Sequence, residues 1–160
     1  MIRPSIPVRL LLGLALLPLL LLGGCLGGDD DNAGERPGQI TRPADAGLPL
    51  DDPIAVRAFD RADQLLLDWY IRHDLDRALE NFSANLRTAW ASIFDGTTFT
   101  GQCSFTQVEG SQPDGSGTVS ARYAIDGCRV APPGDLTASH ITVLVTVTDQ
   151  NAWVISVEFD

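Results

Sequence analysis

The chain has 160 residues, with 11 basic and 21 acidic side chains and a net charge of −10 at neutral pH. So acidic a surface repels nucleic acid and anionic phosphate headgroups, which sets nucleic-acid binding aside. Every basic residue is arginine, a coding bias that carries no mechanism, and the three cysteines include no Cys-x-x-Cys pair.

The chain opens with Arg3 and Arg9, followed by a leucine-rich apolar run from Leu10 to Leu22. At 13 residues, interrupted by Pro18, the run is too short for an ordinary spanning helix and reads as the core of a secretory signal. It ends in Leu22-Gly23-Gly24-Cys25. This stretch resembles the lipobox of bacterial lipoproteins, with Leu at −3, small residues at −2 and −1, and Cys at +1. The resemblance implies that residues 1–24 are removed and that Cys25 is acylated on its thiol and its new amino terminus. Two or three acyl chains hold a protein firmly on a bilayer, where one holds it marginally. Leu26 at +2, where Asp would favour retention, implies the outer membrane. In an organism without one, the anchor would sit on the outer face of the plasma membrane. The remaining 136 residues carry nine arginines against 21 carboxylates, a net charge of −12.

Residues 26–51, following the acylated Cys25, are dominated by Gly, Pro and Asp and show no period of 2 or 3.6. They read as a disordered acidic tether, holding residues 52–160 about 25–30 Å from the bilayer. Asp29-Asp30-Asp31 lacks the Gly and distal Glu of a calcium loop and reads as solvated spacer.

Residues 52–160 suffice for a single domain. Asp52-Pro53 is a helix start, with Asp as N-cap and Pro at the first helical position. Ala55, Phe59, Ala62, Leu66 and Trp69, widened by Ala58 and Leu65, recur at helical spacing. Arg57, Arg61, Gln64, Asp68 and Arg72 lie mostly opposite. The expectation is one helix of about 20 residues with an Asp68–Arg72 pair on its surface. His73-Asp74 marks a corner, Asp74 caps a second helix, and Ser83 caps a third from Ala84 to Phe94, or the period runs on without that break.

Beyond Asp95-Gly96 the composition turns to Thr, Val and Phe. Four strands are predicted, at Thr97–Val108, Thr118–Arg129, Ser139–Thr148 and Ala152–Phe159, separated by Pro113-Asp114-Gly115, Pro132-Pro133-Gly134 and Asp149-Gln150-Asn151. In the last strand Trp153, Ile155, Val157 and Phe159 are expected on one face. Cys103 and Cys128 remain as an even pair in an exported chain, the setting for one disulfide. A regular hairpin centred between Gly115 and Ser116 sets them directly opposite. Val119, Ala121, Tyr123 and Ile125 have the parity opposite to Cys128, so either a bulge near Gly127 reconciles the two or the bridge lies on the outer face.

Helices followed by strands make an α+β plan: a helical hairpin of two or three helices packed on a curved four-stranded antiparallel sheet. The run Trp69 to Ser83, with an aromatic, then His73-Asp74, Ala78-Leu79 and Phe82-Ser83, resembles the helical hairpin of nuclear transport factor 2-like proteins. His73 stands where Gly is common in that family. Asn151-Ala152-Trp153-Val154-Ile155 is similar to the family's last hairpin. The resemblance implies a cone of helices against a sheet, sometimes with a pocket between them; cystatin-like packing is the competing arrangement.

No nucleophile elbow, phosphate loop or metal-ligand spacing appears, so no catalytic residue, cofactor or metal is expected. His73, Asp74 and Asp76 cluster, but at a helix corner that explains them. Tyr70, Trp90, Tyr123 and His140 are the candidates for lining a pocket. The reading is an envelope-anchored module that acts through a protein partner, without catalysis. The alternative is a small-ligand binder or, less favoured, an enzyme, using a cavity between helices and sheet.

Overall fold

A computed structural model describes residues 38–134 and 137–160. The leader, the lipobox with Cys25, and the first part of the expected tether lie outside the described residues.

Asp52 caps the first helix, α1 (Pro53–Leu66), its Oδ1 accepting from the N–H groups of Ile54 at 2.7 Å and Ala55 at 3.2 Å. Pro53 at the first helical position needs no donor there. Ala55, Ala58, Phe59, Ala62, Leu65 and Leu66 are buried, as the period predicts. The expected helix then continues as a π-helical turn, Leu67–Ile71, closed by Arg72 N–H to Leu67 C=O at 2.9 Å. The wider turn changes which residues face inward. Asp68, expected at the surface, is 3% exposed and takes hydrogen bonds from Gln64 at 2.8 Å and Arg72 at 2.7 Å. The Asp68–Arg72 pair therefore forms, but around a buried carboxylate.

His73 turns the corner in the left-handed region, φ 56°, where a β-carbon is normally disfavoured. Asp74 caps α2 (Leu75–Glu80) by accepting from Arg77 N–H at 3.0 Å. A third helix, α3 (Ala84–Gly96), comes next; Ser83 occupies its cap position, but its hydroxyl bonds Asn85 rather than the helix backbone.

The sheet has five strands in the order β1-β2-β3-β4-β5: Ile40–Thr41, Thr98–Gly110, Thr118–Ala131, His140–Val147 and Ala152–Phe159. It is mixed and open, which corrects the four-stranded antiparallel expectation. The extra strand, β1, comes from the stretch assigned to the tether and pairs parallel with β2, Ile40 opposite Phe105. Thr41 and Thr106 also join through their hydroxyls at 3.1 Å.

Two bulges set the β2–β3 register. Gln102 and Cys103 together oppose Gly127, and Val108 is extra between the pairs Gln107–Tyr123 and Glu109–Arg122. Cys128 consequently pairs with Gly101, not with Cys103. The regular-hairpin alignment fails by two residues, yet the bulge brings the cysteine Cα atoms to 4.8 Å and the disulfide forms. Gly127 has φ 74°, and a β-carbon there would lie 2.6 Å from the carbonyl oxygen of Gln102. The inward set of β3 changes parity across it: Val119, Ala121 and Tyr123 are buried before the bulge, and Val130 after it. Cys103 is buried with Phe105 on the core face.

A third bulge corrects the last strand. Ile155 is extra opposite the step from Leu144 to Val145. Ala152 and Val154 face the core before it and Val157 after it, while Ile155 is exposed. Trp153 therefore does not share a face with Val157.

The core lies between the helices and one sheet face. Trp69 stacks on Phe94 with ring centroids 3.5 Å apart, and Phe82 stacks on Trp90 at 5.2 Å. Val119, Ala121, Ile141, Val143 and Val145 supply the sheet side.

Candidate functional site

The polar groups that chemistry would need are drawn from α1, the π-helical turn, β2, β3 and the segment after β1. Asp63 lies on α1 beside the apolar stripe. Its Oδ1 accepts from the Tyr123 hydroxyl at 2.6 Å, and its Oδ2 from Arg42, just after β1. Arg42 also reaches Asp60 at 3.0 Å and lies over the ring of Phe59, 5.7 Å from its centroid. Burial raises the Asp63 pKa, opposed by the Tyr123 hydrogen bond and the Arg42 charge. Burial, then the neighbouring carboxylate, pushes the Tyr123 phenol well above its ordinary range. The phenol is a neutral donor and the carboxylate an acceptor with both oxygens engaged. The arrangement ties α1, β3 and the segment after β1 together.

Gln107 is paired across the strands with Tyr123 and wholly buried, and neither its amide nitrogen nor its oxygen has a hydrogen-bond partner among the described residues. Tyr70 is also buried; its hydroxyl has no partner among the described residues, and burial pushes its pKa well above the phenol range. Tyr70 lines a hollow of about 180 Å³ with Gly38, Ile71, His73, Gly101, Gln102 and Cys103. His73 forms part of its rim and stacks on Phe99 with centroids 5.0 Å apart.

The four pocket candidates do not converge. Tyr70 lines this hollow, whereas Tyr123 is packed beneath α1 against Asp63. Trp90 is half-buried among Phe82 and Phe94. His140 is half-buried beside the core-facing Ile141, pairs with Ala124, and receives or donates a bond with the Ser139 hydroxyl at 2.9 Å. Asp63, Gln107 and Arg42 were not singled out from the sequence. Gln107 shares the parity of Cys103 and Phe105, a signal that pointed inward; Asp63 follows Ala62 at the margin of the stripe. Arg42 sits in a segment with no periodicity to read.

Among the described residues no cluster of three or more His, Cys, Asp or Glu side chains is arranged to hold a metal, and no helix is long and apolar enough to cross a membrane. The architecture defines the class: an α+β domain with helices on one face of an open, mixed five-stranded sheet. Comparison with models of protein families, with curated proteins and with solved structures found no match to the chain.

Proposed function

We propose that this chain is a lipid-anchored protein of a bacterial envelope, held through acyl groups on Cys25. Its domain, a nuclear transport factor 2-like variant, serves as a contact module for a protein partner and not as an enzyme. The anchor reading is supported by the Leu22-Gly23-Gly24-Cys25 stretch after its basic, apolar leader. Outer-membrane attachment is supported by Leu26. The family reading is supported by the order of helices and strands and by His73 turning the corner in a glycine-like conformation.

The observation that carries the contact role is the use of the two sheet faces. One face is consumed by the helices, and its residues Ile141, Val143 and Val145 are fully buried. The alternate residues Ser120, Arg122, Ala124, His140, Thr142 and Thr146 remain half-exposed on the other face. This sheet face, rich in hydroxyls and also carrying Leu144, offers hydrogen bonds together with methyl contacts. Mass spectrometry of the protein isolated from its host tests the anchor: an acylated amino-terminal Cys25 is expected, and an intact 1–24 segment on the accumulated protein overturns it. A photocrosslinking residue at Thr142 tests the contact role. It is expected to give one reproducible envelope partner that the same probe at exposed Asp76 does not give. Identical products from both positions overturn it.

A second reading, ligand binding, is favoured by the hollow beside the unpartnered hydroxyl of Tyr70. It requires a small molecule that survives gentle purification and is lost in Tyr70→Phe, which native mass spectrometry measures.

A further inference from the structure

We propose that the hollow between α1, from Arg57 to Gln64, and the β4–β5 turn binds a carboxylate-bearing ligand, with Arg57 and Arg61 as its clamp. This surface is separate from the outer sheet face and owes nothing to the anchor. The hollow is open to solvent, has a volume of about 360 Å³ and is lined by Arg57, Asp60, Arg61, Gln64, Gln150, Asn151 and Ala152. Arg57 and Arg61 stand one helical turn apart and so project side by side. Neither has a carboxylate within ion-pair distance among the described residues. The one acidic side chain in the lining, Asp60, is engaged by Arg42 at 3.0 Å. Two uncompensated guanidinium groups in a concavity are out of keeping with a chain of net charge −10.

Arg61 is also held in place. Its Nη1 donates to Asn81 Oδ1 at 3.1 Å, and its guanidinium lies over the Trp153 ring, 5.8 Å from the centroid. Asn81 is itself buried, with its amide nitrogen donating to the carbonyls of Arg77 at 3.1 Å and Ala78 at 3.2 Å. A guanidinium fixed at one nitrogen and stacked on one face presents its remaining donors with little ordering entropy left to lose, which favours pairing with a planar carboxylate.

The β5 side of the hollow suits an amide attached to that carboxylate. The N–H of Val154 points off the open edge of β5 to the carbonyl of Asn81 at 3.0 Å. Backbone groups alternate along a strand, so those of Ala152, two residues earlier, point to the same edge. The edge therefore meets the hollow beside the arginines, flanked by the side-chain amides of Gln150 and Asn151. The shared chemistry is a carboxylate, carried either by the end of a peptide or by a small organic acid. The negative field of the whole chain weighs against a phosphate dianion.

The test titrates the full chain, in non-ionic detergent, with N-acetyl-trialanine as free acid, its carboxamide, succinate and inorganic phosphate, read by calorimetry. The free acid is expected to bind saturably, and the carboxamide about tenfold or more weaker. Arg57→Gln and Arg61→Gln are each expected to weaken the acid about tenfold, and Arg129→Gln, on exposed β3 surface, to leave it unchanged. Arg57 is exposed, so its variant reads binding even if Arg61→Gln disturbs the packing on Trp153. Tighter binding of the tripeptide acid than of succinate identifies a peptide end as the source; the reverse identifies a small acid, and both support the site. No saturable binding, equal affinity for the carboxamide, tighter binding of phosphate, or equal losses in Arg129→Gln overturn it.

Discussion

Asp63 and Tyr123 show how one half-buried carboxylate is accommodated. The carboxylate faces the core side of α1, and each oxygen has a donor, the phenol of Tyr123 and the guanidinium of Arg42. Tyr123→Phe removes one donor from a partly buried charge and is expected to cost about 1–3 kcal/mol at neutral pH, measured by urea denaturation. Burial nonetheless raises the Asp63 pKa, so the folded state binds this proton more tightly than the unfolded chain does. Its contribution to stability therefore falls as pH rises from the ordinary carboxyl range through the folded pKa, and stays low above it. Asp63→Asn abolishes that dependence. The stability of the native chain relative to the Asn variant is expected to be greater at pH 4 than at pH 7; parallel pH profiles for the two chains would contradict the assignment. Gly127 is constrained differently, because its φ of 74° and the carbonyl of Gln102 leave no room for a methyl group. Gly127→Ala is expected to destabilise by about 1–3 kcal/mol, seen as a lowered denaturation midpoint.

Among the elements, β2 is the strand on which the others depend. Its bulge at Gln102–Cys103 sets the disulfide to β3, and the same residues hold β1: Gly38 N–H donates to the Cys103 carbonyl at 3.1 Å, and Phe105 N–H to that of Gln39 at 2.9 Å. Replacing both cysteines by serine opens a 25-residue separation, for which chain entropy gives a loss of about 3–4 kcal/mol. The first local effect is expected at β1, as faster amide exchange at Gly38 and Phe105 relative to Val143 and Val145. Uniform acceleration throughout the sheet would show that the bridge acts on the unfolded chain alone. The helices depend less on such links. α1 has its own cap, its own apolar stripe and a proline start, which is why its beginning and its buried face were legible, although not its end at the π-helical turn.

For the molecule as a whole, β1 moves the start of the domain back into the stretch that was expected to be tether. The stretch from Gly38 to Asp51 is part of the domain's surface, contributing β1 and the Arg42 links to Asp60 and Asp63. A chain beginning at residue 52 is expected to be about 1–3 kcal/mol less stable than one beginning at residue 38, since it strands the Asp63 carboxylate and uncovers the edge of β2. Equal denaturation midpoints would mean that β1 contributes no net stability.

The α+β class, the start of α1, the corner at His73-Asp74, the four long strands and the pairing of Cys103 with Cys128 were legible in the sequence, which left open whether two or three helices precede the sheet. They rest on local signals: a period of 3.6 or 2, capping residues, turn residues and an even cysteine count. Packing alone set the register of β2 against β3, the phase of β5 around Ile155, the inward turn of Asp68 and the fifth strand. Each depends on one residue more or fewer opposite a neighbour, which periodicity in a single segment does not record. β1 is the extreme case: two residues carry no pattern, and their strand character comes from the edge of β2 that they cover. For the candidate site, Tyr70 and Tyr123 were visible as aromatic candidates for lining a pocket. Their partners were not visible, because Asp63 lies 60 residues from Tyr123 and meets it only when α1 packs on the sheet.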